Sequence, residues 1–278
     1  MIPGLAEDVA ARLIDVDGVR AVVLGGSYAR GAADASSDID LALYYDPKEP
    51  LDLEALRRLA AELDDSGSGD AVTATGAWGQ WINGGAWLTI GGQRVDWLYR
   101  NLPRVHDYIS ACIAGSPVAH YQPGHPHAFH THIYLAEAAL CIPLEDPYGE
   151  VDALKRRALP YPPALKQAVI QGGLWEAGFS LSVCEKSAVR GDALHVHGCL
   201  FRAAACLIQA LYGLNEAYFI NEKGSAAAVD RFAARPDGFA ARVGDALGSA
   251  DLPGAQRAML GLLDETRALC ESAGFVSL

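Results

Sequence analysis

The sequence predicts an α+β protein, with strands and flanking helices in its first hundred residues and helices through most of the remainder. Short apolar runs that end at glycines, typical of buried strands, occur before residue 103. After that point apolar residues recur at helical spacing, and Leu194–Tyr212 is apolar on most faces, as in the central helix of a bundle. We therefore expect a boundary near Leu102, between a first domain of residues 1–102 and a helical second domain of residues 103–278.

The elements of the first domain follow from local patterns. Pro3–Ile14 and Leu51–Leu63 carry apolar residues at helical spacing, so each predicts an amphipathic helix. Ala21–Leu24 is short and apolar and ends at a glycine pair, which predicts a buried strand followed by a turn. Trp87–Ile90 and Gln93–Tyr99 flank another glycine pair and predict a hairpin with a two-residue turn.

Helices are the main prediction for the second domain. Besides Leu194–Tyr212, helical spacing is found at Val105–Ala114, His132–Ile142, Ala164–Leu181 and Leu252–Cys270. A histidine-rich stretch precedes the second of these, with His120, His125, His127, His130 and His132. Imidazoles at short spacing can bind Zn²⁺, but prolines and a glycine interrupt the stretch and no familiar ligand set is complete. A loop lining a cleft is the interpretation that we favour.

The stretch from Val22 to Tyr44 is the most informative part of the chain. A strand ends at Gly25-Gly26, where glycines let the backbone approach a ligand closely, and Ser27 adds a hydroxyl beside exposed amides. Residues 28–30 can open a helical turn, whose free N–H groups suit phosphate oxygens. The pattern predicts a phosphate-binding turn.

Two carboxylates follow at the start of the next apolar run. Asp38 and Asp40 flank Ile39, and alternate residues of a strand share a face, so both carboxylates point the same way. Neighbouring carboxylates raise one another's pKa unless a cation lies between them. Oxygen ligands without sulfur suit Mg²⁺, which binds through one or two carboxylates and substrate phosphates. The alternative is that these aspartates merely cap loops.

Gly26-Ser27, ten intervening residues and then Asp38-Ile39-Asp40 form a pattern that resembles the signature of the nucleotidyltransferase superfamily with a polymerase β-type core. The chain looks similar to the small bacterial aminoglycoside and lincosamide nucleotidyltransferases. The resemblance implies an N-terminal catalytic domain with a mixed β-sheet and a C-terminal helical bundle that binds the substrate. It also calls for a third carboxylate on a later strand, for which Asp96 is the match. The structural alternative for Asp96 is an ion pair with Arg94 or Arg100.

The reaction that this resemblance implies is transfer of a nucleoside monophosphate from an NTP, expected to be ATP, to a hydroxyl group, with release of pyrophosphate. The catalytic carboxylates, which would also hold two Mg²⁺ ions, are Asp38, Asp40 and Asp96. The residues expected to contact the nucleotide are Gly26, Ser27, Arg30, Ser37 and Lys223. The structural alternative for Lys223 is a charged side chain on a turn, with no role in nucleotide binding. Asp96 would accept the acceptor's proton, and the rival bases are Glu137, Glu145 and Asp192.

The net charge of the chain and its distribution indicate which binding partners to expect. The net charge is −12, and residues 1–103 hold 8 basic and 16 acidic side chains. Gripping a polynucleotide backbone requires a basic face, so nucleic acid is an unexpected partner. The acidic first domain suits Mg²⁺, a nucleotide and a cationic acceptor. We expect a small antibiotic-like acceptor; the alternatives are a macromolecule, as in protein AMPylation or tRNA end modification, and a non-catalytic nucleotide sensor.

Compartment and aromatic residues complete the expectations. Charged residues near the N-terminus leave no room for a signal peptide, and no run is expected to span a membrane. The cysteines are scattered, which indicates free thiols in a reducing cytoplasm: Cys112, Cys141, Cys184, Cys199, Cys206 and Cys270.

Aromatic and amide side chains lie in and beside the glycine-rich segment Gly76–Gly85. They either stack on a ligand ring or belong to the core: Trp78, Trp81, Asn83 and Trp87.

Overall fold

The computed structural model describes residues 3–275 and confirms the α+β class. The strands within that range are β1 Ala21–Leu24, β2 Ile39–Tyr45, β3 Gly85–Ile90, β4 Gln93–Asn101, β5 Ala119–His120, β6 Phe129–His130 and β7 Ile142–Glu145. The first helices are α1 Gly4–Leu13, α2 Gly26–Ala29, α3 Leu53–Leu63, α4 Leu102–Ile113, α5 His132–Leu140 and α6 Glu150–Ala158. The later helices are α7 Pro163–Val183, α8 Glu185–Arg190, α9 Ala193–Leu214, α10 Ser225–Val229, α11 Phe239–Gly248 and α12 Leu252–Ser272.

The chain forms two compact units. The first unit contains the described residues up to Ser110, together with Ala119–Gly124 and Ala128–Pro160. The second unit contains Ala111–Val118, His125–His127 and the described residues from Tyr161 onward.

A five-stranded mixed sheet is the centre of the first unit, in the order β3-β4-β2-β1-β7. β2 and β4 are parallel, whereas β1 pairs antiparallel with both β2 and β7, and β3 pairs antiparallel with β4. The predicted hairpin is β3 and β4, joined by two glycines with positive φ. This order brings the segments of β2 and β4 together although about fifty residues separate them in the sequence.

Strand alternation divides the sheet into a buried face and a face that carries polar groups. Ile39, Leu41 and Leu43 of β2 are at most 1 % exposed and pack in one core with residues of α1 and α3. On β4 the residues Val95, Trp97 and Tyr99 are fully buried in the same core. The intervening residues, Asp40 on β2 and Asp96 on β4, therefore point to the opposite face.

The first unit extends beyond the boundary predicted near Leu102, because β7 and α5 belong to it. β7 pairs with β1 and forms an edge of the five-stranded sheet, so the chain after residue 102 is not wholly helical. This strand was not predicted, because it is only four residues long and contains Pro143. Proline is tolerated in an edge strand, where its missing N–H faces away from the ladder.

The second unit is helical, and α9 is its most buried helix. Asp192 caps the start of α9, because its Oδ1 accepts from the amide of His195 at 3.3 Å. The 22-residue helix packs extensively against α7 and also contacts α12. By length and composition alone α9 could cross a membrane, contrary to the expectation from the sequence, but 61 % of its apolar window is buried inside the protein. Buried core helices share this length and composition.

Candidate active site

Four residues on four neighbouring strands or strand ends form a row across the polar face of the sheet. Asp40 and Asp96 are direct register partners on the parallel strands β2 and β4. Trp87 on β3 is the register partner of Asp96 on the other side. Gly25, which follows β1, donates its amide to the carbonyl of Asp40 at 2.8 Å. The row therefore runs Trp87, Asp96, Asp40, Gly25, and sheet pairing alone places two carboxylates side by side.

The glycine turn lies directly against Asp40. Gly26 has φ of +59°, a conformation that side-chain-bearing residues rarely adopt. A Cβ atom at this position would lie 2.7 Å from Cγ of Asp40 and closer still to Oδ2. Both the backbone conformation and the close approach therefore require glycine. The turn that begins α2 is held within contact distance of the Asp40 carboxylate.

Burial and neighbouring charges act on Asp40. Burial, followed by the negative charges of Asp38 and Glu137, raises the pKa of Asp40 to about 6. Arg100 and Arg30 act in the opposite direction without cancelling the effect. Asp40 is therefore a carboxylate whose negative charge the surrounding protein does not fully compensate.

Asp38, just before β2, is close to a cation. Nε of Arg94 lies 2.6 Å from Oδ1 of Asp38 in an ion pair. The Arg94 side chain is 66 % exposed, so solvent weakens this pair. Arg94 stands two residues before Asp96 on β4, and both therefore lie on the carboxylate face.

The other residues predicted to contact the nucleotide in this unit surround the same turn. Ser27 is half-buried within α2. Arg30 is exposed and donates from Nε to the carbonyl of Gly26 at 3.1 Å. The hydroxyl of Ser37 accepts from the amide of Asp34 at 2.9 Å and so helps to close the loop before Asp38. Their roles in nucleotide binding stay predictions, as do the metal and catalytic roles of the three aspartates.

A buried ion pair joins α5 to the carboxylate face. Arg100, on β4, donates from Nε and Nη2 to the two carboxylate oxygens of Glu137 at 2.8 and 2.7 Å. The Arg100 side chain is only 5 % exposed. Burial opposes its charge, yet Glu137 keeps the pKa of Arg100 above its usual value. Glu137 is thus engaged with Arg100 while its charge still acts on Asp40.

The remaining rival bases are occupied differently. Glu145 lies at the end of β7, in register with Val22 of β1. Asp192 is the N-cap of α9 in the second unit. Lys223 also belongs to the second unit, where it is exposed and its amide donates to Oδ1 of Asn221 at 2.9 Å.

The histidines of the predicted loop are divided between the two units. His120 stacks on Trp81 with ring centroids 3.9 Å apart in the first unit. In the second unit the amide of His127 donates to Glu222 at 3.0 Å, and Nη1 of Arg202 donates to the His127 carbonyl at 2.9 Å. Burial and the charge of Arg202 lower the pKa of His127 to about 4.

The aromatic segment divides into core and exposed residues. Trp81 is 6 % exposed, and buried Asn83 donates to the hydroxyl of Tyr45 at 2.9 Å. Trp87, by contrast, is 65 % exposed and stacks on Trp78 beside Asp96. Sequence reasoning proposed both interpretations for all four residues and did not separate them. The period of two along β4 could have placed Arg94, Asp96 and Arg100 on one face, but not their partners.

The oxygen donors of the row fit Mg²⁺ delivered with a nucleotide. Within residues 3–275, no three or more His, Cys, Asp or Glu side chains are grouped so that they alone could hold a metal ion. Mg²⁺, however, needs only one or two protein carboxylates when water and substrate phosphates supply its other ligands. The raised pKa of Asp40 indicates negative charge that a cation would compensate. Asp38 and Asp40 therefore suit such a shared site, with Asp96 next to Asp40.

The glycine turn thus packs on a carboxylate row on one face of the mixed sheet. The family described as polymerase beta, nucleotidyltransferase matches residues 7–73 of this chain. Residues 7–73 therefore match a polymerase β-type nucleotidyltransferase domain, which confirms the superfamily part of the resemblance inferred from the sequence. The match includes Gly26, Ser27, Asp38 and Asp40, whereas Asp96 and Lys223 lie outside it.

The crystal structure of a nucleotidyltransferase-like protein from Exiguobacterium sibiricum has 9 % sequence identity and a TM-score of 0.46, over 97 % of this chain and 78 % of that chain. None of the curated proteins matches this chain.

Proposed function

We propose that this protein is a Mg²⁺-dependent nucleotidyltransferase that transfers AMP from ATP to a hydroxyl group of a small antibiotic-like acceptor and releases pyrophosphate. The domain family supports nucleotidyl transfer in general. The observation that carries the proposal is the register pairing of Asp40 with Asp96, which places two carboxylates beside the glycine turn.

Asp38 and Asp40 would hold Mg²⁺ together with the nucleotide phosphates, and Asp96 would complete the carboxylate set. When bound, the metal would neutralise phosphate charge and lower the pKa of the attacking hydroxyl. Gly26 and Ser27 would orient the β- and γ-phosphates, because the turn approaches Asp40 closely enough to keep both groups near one ion.

Asp96 would accept the proton. The acceptor oxygen forms a bond to the α-phosphorus, the bond between that phosphorus and the bridging oxygen breaks, and pyrophosphate leaves with that electron pair. Among the rival bases, Glu137 is held by two hydrogen bonds to Arg100 and Asp192 caps a helix, so both carboxylates already have structural roles.

The acceptor and the compartment are inferred from charge and thiols. The first 103 residues carry twice as many acidic as basic side chains, which favours a cationic small molecule over a polynucleotide. Lys223 is proposed to bind the triphosphate. The six cysteines are free, which supports a cytoplasmic location because disulfides are rare in that compartment.

The direct test is nucleotidyl transfer by the purified protein. The protein is incubated with Mg²⁺ and each α-labelled NTP, with an aminoglycoside, a lincosamide or tRNA as acceptor. Asp40→Asn is the inactive variant, and Asp70→Asn is its matched control because Asp70 is an exposed loop aspartate of the same unit.

Label on a small molecule, with equimolar pyrophosphate release that requires Mg²⁺ and Asp40, would support the proposal. Label on tRNA, or on the protein itself, would replace the small acceptor by a macromolecule. Absence of transfer from every NTP by the folded wild-type protein would contradict nucleotidyl transfer to these acceptors.

A further inference from the structure

A stacked pair of indoles lies at one end of the carboxylate row. The rings of Trp78 and Trp87 are 4.5 Å apart between centroids, with 16° between their planes. Trp87 is 65 % exposed although it lies within β3, where its register partner is Asp96. A large exposed aromatic ring is informative when it lies beside polar site residues, because ligand sites are lined mainly by hydrophobic and aromatic side chains with a few polar groups.

The loop before β3 fixes the position of Trp78. Its amide donates to the carbonyl of Asn83 at 3.2 Å, and its carbonyl accepts from Nε2 of Gln122 at 2.8 Å. Oδ1 of Asn83 accepts from the amide of Gly76 at 2.8 Å and closes the loop. Trp78 therefore supports the Trp87 ring from a defined position, and a ring held in place loses little entropy when a ligand stacks on it.

The two ends of the carboxylate row differ, and this difference suggests where the nucleotide and the acceptor bind. The glycine turn is at one end, Asp40 and Asp96 are in the middle, and Trp87 is at the other end. With strands about 4.8 Å apart, Trp87 lies roughly 10 Å from Asp40 along the row. In phosphoryl transfer the attacking and leaving oxygens are roughly in line with phosphorus. If pyrophosphate leaves toward the glycine turn, the attacking hydroxyl enters from the side of Asp96 and Trp87.

We propose that Trp87, supported by Trp78, is the platform on which the acceptor stacks, and that the acceptor presents a hydroxyl-bearing sugar or cyclitol ring. Such a ring has a flat face of C–H groups and a rim of hydroxyls. Stacking this face on the indole would direct the rim sideways toward Asp96, where the proton is removed. This inference rests on the proposed nucleotidyl transfer, and it assigns the ring-binding part of that site.

The nucleobase is the competing occupant, and the in-line geometry argues against it. The nucleoside oxygen on the α-phosphorus lies in the equatorial plane of the reaction, away from the line that joins the entering and leaving groups. The nucleoside therefore leaves the α-phosphorus to the side of that line, which favours the acceptor as the occupant of a platform at its end.

The experiment compares Trp87→Ala and Trp87→Phe with wild-type protein, using kanamycin and lincomycin as ring-bearing probes. Trp175→Ala is the matched control, because Trp175 is also an exposed indole, 60 %, stacked on Phe179, but lies in the second unit. Steady-state kinetics give KM for the probe and for ATP, and calorimetry gives probe binding without nucleotide. Circular dichroism checks that each variant folds.

For a probe that is nucleotidylated, Trp87→Ala is expected to raise its KM roughly 5- to 150-fold, the factor that corresponds to about 1–3 kcal/mol of ring stacking. The KM for ATP should stay within about twofold, kcat should change little because stacking acts equally in the ground and transition states, and Trp87→Phe should recover part of the loss. Probe binding measured by calorimetry should weaken in parallel.

Unchanged probe KM in Trp87→Ala, with transfer intact, would overturn the platform while leaving the proposed function standing. A raised KM for ATP instead would assign the indoles to the nucleobase and would also overturn it. If the wild type transfers nothing, the proposed function fails. Calorimetry then decides the platform separately. Equal probe binding by the wild type and Trp87→Ala would overturn it, and so would a wild type that binds neither probe.

Discussion

Gly26 and Asp40 are packed so closely that no side chain fits between them. A Cβ on Gly26 would lie 2.7 Å from Cγ of Asp40, and Gly26 has φ of +59°. Gly31, a few residues later, has a similar φ of +66°, but nothing lies within 4 Å of its Cβ direction. Substitution at Gly31 therefore measures the free-energy cost of the backbone conformation alone. Substitution at Gly26 adds the cost of the close approach to Asp40.

Gly26→Ala is expected to destabilise the protein more than Gly31→Ala. Both alanines cost about 1–2 kcal/mol for the left-handed conformation, and Gly26→Ala adds about 1–3 kcal/mol because Asp40 must move. Displacement of Asp40 by about 1 Å should also lower kcat/KM about 10²-fold. Urea unfolding and nucleotidyl transfer measure the two effects. Equal destabilisation by both alanines would contradict the packing argument.

Asp40→Asn should abolish nucleotidyl transfer but increase the thermal stability of the protein without ligand. The raised pKa of Asp40 means that burial and Asp38 disfavour its charge, and an amide removes that charge. The gain at neutral pH is up to about 3 kcal/mol. Thermal unfolding without Mg²⁺ measures the gain, and adding Mg²⁺-ATP should raise the melting temperature of the wild type much more than that of Asp40→Asn. An unchanged or lower melting temperature of Asp40→Asn would show that the surrounding protein does not disfavour the charge of Asp40.

Asp96→Asn tests the assignment of the base. Loss of a general base lowers the rate about 10²–10⁴-fold, and the effect should appear in kcat with little change in the KM for ATP. Single-turnover transfer with saturating ATP measures it, and Asp70→Asn again serves as the control. Near-normal kcat in folded Asp96→Asn would move the base to another residue.

Glu137→Gln should destabilise the protein by about 3–5 kcal/mol, because it leaves the buried guanidinium of Arg100 without a charged partner. The control is Glu265→Gln, since Glu265 forms a two-bond pair with Arg242 at 2.6 and 2.8 Å but on an exposed surface. Loss of an exposed pair costs about 0–1 kcal/mol. Urea unfolding at neutral pH compares the two, and similar losses would show that burial does not strengthen the dependence of Arg100 on its partner.

The lowered pKa of His127 predicts that the folded protein loses stability at acid pH. Its pKa is lowered from 6.5 to about 4 by burial and Arg202, so below pH 6.5 the unfolded chain binds a proton that the folded chain does not. The stability contribution is fully present above pH 6.5, and falls by on the order of 3 kcal/mol as the pH drops toward 4. Urea unfolding at several pH values should show a weaker decline for His127→Gln than for wild type. His106→Gln, at an exposed histidine, should behave as wild type.

The local sequence predicted the nearby elements well, because their signals depend on short-range chemistry. The strand Ala21–Leu24 has the predicted bounds, and the glycine turn and the Asp38-Ile39-Asp40 pair follow from spacing and strand alternation. β7 was not predicted, since four residues with a proline give no period, and its place at the sheet edge depends on pairing with β1. The extent of the first unit beyond residue 102 follows from that pairing.

The sequence by itself determined the superfamily, the glycine turn and the residue types of the carboxylate row. Tertiary structure decided which side chains meet: Arg94 pairs with Asp38, Arg100 pairs with Glu137, and Trp87 stands beside Asp96. The physical reason is that alternation along one strand fixes only the face on which a side chain lies. The register between strands distant in sequence depends on how their buried faces pack, and that register sets the neighbours of every polar residue.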